Sequence, residues 1–212
     1  MTITNGYCTL ADIKHSNRLN FNDTDSASDE MLEGIIEAVS RSIDDQCNRI
    51  FYIYNSGNVQ ARRFTAIDNE VLFPGDMCSA SSDSDVIIQI DTNGDGTYDD
   101  TFASDDYVLD PYNAEELGVP YQKIEVSSVG QYLFPKGVKR GVKVTAKWGW
   151  PVTAPLPIKQ ACILQSERLF KRFSTPLGSE SMTALGRMTM TIPSLDPDVQ
   201  MLISRYKKVV WG

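Results

Sequence analysis

Asp91, Asn93, Asp95, Thr97 and Asp99 put an oxygen-bearing side chain at every second position of the stretch DTNGDGTYDD, residues 91–100, with Gly96 among them. Alternating oxygens around a glycine are the pattern of an EF-hand calcium loop, in which positions 1, 3, 5, 7 and 9 ligate and a bidentate carboxylate at 12 closes the shell. The match runs through position 9, but the residue at position 12 is Phe102, so the strongest ligand is absent. The flanks also disagree. DVIIQID, ahead of the loop, is β-branched and strand-like where an EF-hand needs a helix. NGDG between strand-like segments is a hairpin signal, because Asn and Gly tolerate positive φ. The sequence therefore predicts a hairpin tip here. Asp91, Asn93, Asp95 and Asp99 are the ligand set of the alternative, a calcium-dependent binding module.

No other spacing carries chemistry. The one histidine, His15, has no nucleophile motif to partner it and reads as a surface residue. Asp105–Asp106 and Glu115–Glu116 are adjacent carboxylates. On a strand neighbours point to opposite faces, so these predict solvated surface and not an acid/base pair. Cys8, Cys47, Cys78 and Cys162 form no CxxC pair and are expected as buried free thiols. Phosphate-loop, dinucleotide and nucleophile-elbow motifs are missing. KGVKRGVKVTAK, residues 136–147, with Tyr132, Phe134 and Trp148 nearby, has the ingredients of a nucleic-acid face. The formal net charge of −8 and the lack of a base-reading motif favour a solvated sheet face or a subunit contact. The expectation is a chain that is not an enzyme and needs no cofactor. No apolar run is long enough to span a membrane and no signal-peptide pattern opens the chain, so synthesis is expected in the cytosol.

The elements that would position these residues follow from periodicity. SDEMLEGIIEAVSRSIDDQC repeats apolar residues at helical spacing, Met31, Leu32, Ile35, Ile36, Val39, Ile43 and Cys47, with Ser26 or Ser28 as cap. TLADIKHSNRL predicts a short helix capped by Thr9. From Arg62 to Trp150 short strands alternate with turns, and VKVTAKW sets Val142, Val144, Ala146 and Trp148 on one face. Helical signals return with Pro157 at a helix start and again with Asp196 as cap and Pro197 in the first turn. GDMCSASSDSD reads as a loop, and LGSESMTALGRMTMTIPSL, residues 177–195, as an extended arm. The fold class is α+β: a core of about four helices, from residues 1–54 and 151–212, with an antiparallel β lobe inserted at 55–150.

Charge is segregated along the chain. Residues 64–131 hold fifteen acids and the single base Lys123, whereas residues 132–212 hold thirteen bases and four acids. The arithmetic is −14 against +9, a pattern suited equally to head-to-tail contact between the acidic face of one copy and the basic face of another, or to opposite surfaces of a soluble monomer. The tail SRYKKVVWG adds Arg205, Tyr206, Lys207, Lys208 and Trp211 as candidate contacts, with aromatic anchors flanked by steering charges.

Taken in order, YCTLADIKHSNRL, SDEMLEGIIEAVSRSIDDQCNRIF, VKVTAKWGWPVTAPLPIKQACILQSERLFKRFSTPLG and DPDVQMLISRYKKVVWG resemble the head-tail connector (adaptor, head-completion) proteins of tailed bacteriophages. In that family a strand ends in a Trp-Gly-aromatic turn and leads through prolines into a helix. Trp148, Gly149, Trp150, Pro157, Ile158, Lys159, Gln160 and Ala161 reproduce that arrangement. The region from about 55 to 135 departs from it, being longer and more acidic than a minimal connector requires. The resemblance implies a structural protein of the virion neck, made in the host cytoplasm, with about twelve copies in a ring. Its partners would be the portal protein, copies of itself, and tail or stopper proteins. DNA would pass through its channel without sequence-specific binding.

Overall fold

The structure, a computed structural model, describes residues 3–16, 28–78, 86–151, 153–173 and 195–208, and the backbone of 182–183 and 186–187. In chain order its elements are α1 (Leu10–His15), α2 (Asp29–Cys47), β1 (Gln60–Phe64), β2 (Val71–Leu72), β3 (Ile87–Ile90), β4 (Asp100–Thr101), β5 (Tyr107–Asp110), α3 (Ala114–Leu117), β6 (Lys123–Val126), β7 (Val142–Ala146), α4 (Leu156–Phe173), β8 (Met182–Thr183), β9 (Gly186–Arg187) and α5 (Pro197–Ser204). The fold is α+β. Two units divide the chain, one from residues 1–49 with 154–212 and the other from 50–153.

In the first unit, α1 opens on a capping box: Asp12 N donates to Thr9 Oγ1 at 3.2 Å, and Thr9 N to Asp12 Oδ2 at 2.8 Å. Ser28 occupies the N-cap of α2 but its side chain makes no capping bond, and Ser26 lies outside the described residues. A missing cap costs about 1 kcal/mol. Burial of Leu32, Ile36 and Ile43, each at 0% exposure, is worth about 1.5–3 kcal/mol apiece and outweighs it. Met31, expected on the buried face, is 49% exposed, because it falls one residue off the stripe that Leu32, Ile35, Ile36 and Val39 turn inward. α4 and α5 supply the partners for that stripe. Pro157 lies in the first turn of α4, where its missing N–H breaks no helical bond, and Ile158, Ala161 and Cys162 are buried. Asp196 caps α5 by accepting from Asp198 N at 3.0 Å, and Val199 and Ile203 are buried.

Polar groups tie the N-terminal segment to α2. Tyr7 N donates to Ser40 Oγ at 3.0 Å and the Tyr7 hydroxyl to Asp44 Oδ1. Arg41 bridges Asp44, at 2.9 Å, and the Asn5 carbonyl, at 3.0 Å. Burial raises the Asp44 carboxyl from its ordinary 3.8 to about 6, although Tyr7 and Arg41 pull the other way.

The second unit holds an antiparallel sheet in the order β1-β7-β3-β4 and another in the order β2-β6-β5. In β7, Val142, Val144 and Ala146 are buried and Lys143 and Thr145 face outward, as the alternation predicts. Ile88 and Ile90 of β3 and Phe134 join them in one core with Ile124 of β6. Asp106, expected on solvated surface, is instead 5% exposed. Its carboxylate accepts from Ala103 N at 2.7 Å and from Gln131 N at 2.9 Å, so it organises two loops.

The chain enters and leaves this unit at one place. Ile53 forms an antiparallel bridge with Gly149, Tyr54 N donates to the Trp148 carbonyl at 2.8 Å, and Trp150 N to the Tyr52 carbonyl at 3.1 Å. Gly149 has φ +100°, and a Cβ there would collide with the Tyr52 carbonyl oxygen. Gly149→Ala is expected to lower stability by more than about 2 kcal/mol, combining a positive φ with a backbone clash. Urea unfolding checks it, and a change below about 0.5 kcal/mol would refute this account of the position.

Asp44 makes stability depend on pH. Its native pKa lies above the unfolded one, so the native state holds the extra proton between 3.8 and about 6. Its contribution is full below that window and is lost as pH rises through it, by at most about 3 kcal/mol. Asp44→Asn should flatten the slope of stability against pH over this interval. A slope identical to that of the parent chain would assign the dependence to other groups.

Candidate functional site

β3 and β4 are antiparallel neighbours with Gln89 opposite Thr101 and Ile90 opposite Asp100, so residues 91–99 form the tip of a hairpin. Asp91, at the base of the tip, is 3% exposed. Its Oδ1 accepts from Gly94 N at 2.6 Å and its Oδ2 from Gly96 N at 2.8 Å. Gly94 and Gly96 adopt φ of +77° and +90°, which lets those two amides turn inward. Asn93 Oδ1 accepts from Asp95 N at 3.1 Å, and Asp95 Oδ1 from Thr97 N at 2.7 Å. The Thr97 backbone bond is the main reason the Asp95 carboxyl titrates below its ordinary range. Asp99 is exposed. The oxygens of Asp91, Asn93 and Asp95 are thus used as turn acceptors for the loop's own amides. Phe102, at position 12 of the calcium pattern, is 5% exposed and stacks on Phe134 with centroids 5.4 Å apart. That position belongs to the core. Among the described residues no three or more His, Cys, Asp or Glu side chains are grouped to hold a metal ion.

The Trp-Gly-Trp turn is built around Trp148. Its Nε1 donates to the Gln60 carbonyl at 2.8 Å, and the Arg62 guanidinium lies 4.2 Å from its ring centroid. Arg62 also lies over Tyr54, and burial lowers its pKa. Trp150 packs at a tilt of 50° against Phe51, with centroids 5.2 Å apart. In the helical unit Lys159 pairs with Asp12 at 2.8 Å and Gln160 is exposed. These eight residues fall into two groups, Trp148, Gly149 and Trp150 in one unit and Pro157, Ile158, Lys159, Gln160 and Ala161 in the other. Each group has a packing role in its own unit.

In the tail, Arg205 is the C-cap of α5 and exposed, and Lys207 is exposed. Tyr206 is half-buried, and Lys208 N donates to the Cys47 carbonyl at 2.9 Å, fastening the tail to the end of α2. Trp211 lies outside the described residues, as do most of the expected arm and residues 79–85 of the expected loop.

The charge segregation of the sequence does not survive as a division between units. Bases 136–147 fold into the unit that holds the acidic stretch, and β7 lies between β1 and β3. Residues 50–153 carry fifteen acids and eight bases, giving −7, and the other unit carries thirteen acids and twelve bases, giving −1. The two ends of the sequence dipole therefore cannot be read as two separate faces, one per unit. One local contact shows the mixing: Tyr98, in the acidic hairpin, donates its hydroxyl to the Arg140 carbonyl at 2.7 Å and carries Lys143 Nζ 4.6 Å from its ring centroid.

This geometry defines a class: an α+β chain whose helical unit is assembled from both ends of the sequence, with an antiparallel β unit inserted between them in the chain. No protein-family model matches the sequence, and no curated protein matches it. The fold is similar to that of a chain in the neck of an empty gene transfer agent (GTA) particle computed with C6 symmetry. The TM-score is 0.54 at 15% identity, covering 100% of this chain and 95% of that one. It is also similar to a chain in the virion of a native GTA particle, with TM-score 0.50 and 15% identity over 95% of this chain and 90% of that one. The likeness of fold covers the β unit as well as the helices.

The hairpin geometry separates two acids that the calcium pattern treats alike. Asp91→Ala should cost about 2–3 kcal/mol, since two inward amides lose a buried charged acceptor, while Asp95→Ala should cost at most about 1 kcal/mol. Neither cost should change with millimolar calcium in thermal melts. A stabilisation of the parent chain by calcium that Asp95→Ala removes would restore the metal reading.

Proposed function

We propose that this chain is a structural protein of a phage-type virion, located in the neck, where about twelve copies form a ring that docks on the portal, connects head to tail and extends the DNA channel. The observation that carries the reading is the likeness of fold over the whole chain to a component of a GTA neck, which agrees with the connector resemblance of separate sequence stretches in the same order. The related neck was computed with sixfold symmetry, a requirement that a twelve-copy ring satisfies. In this reading the protein is not an enzyme and takes no cofactor. Its partners are the portal protein, neighbouring copies and tail or stopper proteins, and it is made in the host cytoplasm.

The physical chemistry is compatible with that role. A closed ring needs a heterologous interface, two different patches of one chain that complement each other. The −7 charge of residues 50–153 suits a wall past which phosphate slides without sticking. No helix among the described residues is long and apolar enough to cross a membrane.

Arg205, Tyr206, Lys207, Lys208 and Trp211 are the proposed portal contacts. Deleting 205–212 removes the C-cap of α5 and the bonds of Lys208 to Cys47 and Asn48, and leaves residues 197–204 of α5 in the chain. The truncated chain should keep its circular-dichroism spectrum and lose co-purification with the portal, whereas retention on the portal would dismiss the tail as the docking element. Electron microscopy of the full chain with its native associates should show a ring of about twelve copies on a portal vertex. Particles carrying the chain anywhere except the neck would overturn the functional reading itself.

A further inference from the structure

The N-terminal segment meets α4 through two sulfurs. Cys8 Sγ donates to Cys162 Sγ across 3.4 Å, so the two thiols are in van der Waals contact although 154 positions separate them. Both side chains are buried, at 3% and 0% exposure. The surroundings are not purely apolar. Ser40 Oγ, whose hydroxyl donates to the Ile36 carbonyl at 2.7 Å, lies 3.5 Å from Cys162 Sγ, and Ser166 Oγ lies 4.0 Å from it. Of the other two cysteines, Cys47 faces the Ile203 carbonyl at 4.0 Å, and Cys78 belongs to the other unit.

We infer that Cys8 and Cys162 are a redox site that closes to a disulfide under a small hydroperoxide, stapling the N-terminal segment to α4. Hydrogen bonds direct the order of events. Donation from Cys8, with the Ser166 hydroxyl nearby, favours the anion on Cys162, while its own donation to Cys162 and burial hold the Cys8 proton in place. The Cys162 thiolate attacks one peroxide oxygen, the O–O bond breaks, and a sulfenic acid forms as hydroxide leaves and takes up the proton that Cys162 has lost. Cys8 sulfur then attacks the sulfenic sulfur, the S–OH bond breaks, and the Cys8 proton leaves with the hydroxyl as water. The sum is two thiols and one peroxide giving one disulfide and two waters. Burial favours an oxidant of about water's size over a bulky disulfide, and the product needs only about 1.4 Å of further approach from the present contact to a bond of about 2.05 Å.

The bond would join the two chain ends that build the helical unit. Its ring spans the whole inserted β unit, and long closed loops restrict the unfolded chain most. Cytosolic synthesis keeps the thiols reduced during folding, and an oxidising exterior would set the staple afterwards.

The full-length chain, purified reduced, is treated with hydrogen peroxide, alkylated, digested without reductant and analysed by mass spectrometry. The expected product is a peptide pair joined through Cys8 and Cys162, with Cys47 and Cys78 alkylated and two of the four thiols consumed. The oxidised chain should also unfold at a higher midpoint, reversibly with dithiothreitol. Cys8→Ser should abolish both effects, and Cys78→Ser neither. A different pairing, or conversion of either sulfur to sulfinic acid with no cross-link, overturns the inference, and that reading on the parent chain does not depend on the variants folding.

Discussion

The constraint on which the β unit depends is that its chain must enter and leave through one paired crossing. Residues 50–54 and 148–150 meet there as a short antiparallel ladder, with Ile53 opposite Gly149. An insertion is tolerated inside another core only when its ends lie close together, since the host then loses little closure entropy. Gly149 is what allows the approach, because its backbone is left-handed and stands against the Tyr52 carbonyl where a side chain has no room. On either side Trp148 and Trp150 bury large rings against Arg62 and Phe51, fixing the ladder in register. The Trp-Gly-Trp signature is therefore a structural requirement of an inserted unit, and its place at the end of β7 follows from where the insertion closes.

The helical unit answers a different demand, because its two sequence halves must find each other across the insertion. Apolar burial along α2 and α4 supplies most of the attraction, and polar groups supply the specificity. Ser40 and Asp44 are buried on the inward face of α2 and bind Tyr7, so the N-terminal segment can dock in one register only. The cost appears in Asp44, whose carboxyl is held well above its ordinary range by burial. Lys14 with Asp29 at 2.7 Å and Lys159 with Asp12 at 2.8 Å add partly shielded pairs between elements that a purely apolar face would leave free to slide.

Where periodicity was strong, the sequence was legible. The stripe of α2, the alternation of β7, the Thr9 and Asp196 caps and Pro157 at the start of α4 each rest on local rules, and tertiary packing agrees with them. The failures share a cause, since they involve groups whose role is set by residues far away. Asp106 looked solvated because the amide it binds belongs to Gln131, 25 residues on. The charge dipole looked like two faces because nothing local says that β7 lies between β1 and β3. Cys8 and Cys162 looked unrelated for the same reason. The hairpin tip, by contrast, was read from local residues, and Asp91 shows why: an acid followed by glycines three and five positions later can gather inward amides.

A calcium loop and an acid-organised hairpin tip draw on the same residue types, because both need oxygens at alternate positions and glycines that reach positive φ. What separates them is the destination of the carboxylates and the residue that closes the loop. Here the oxygens of Asp91 and Asp95 turn to amides, and Phe102 turns to the core beside Phe134. The hairpin tip is then held by internal bonds and projects from the sheet with Thr92, Asn93, Asp95 and Asp99 exposed. Such a tip is a polar surface ordered by its own bonds, so its ordering entropy is met during folding and not at any later contact.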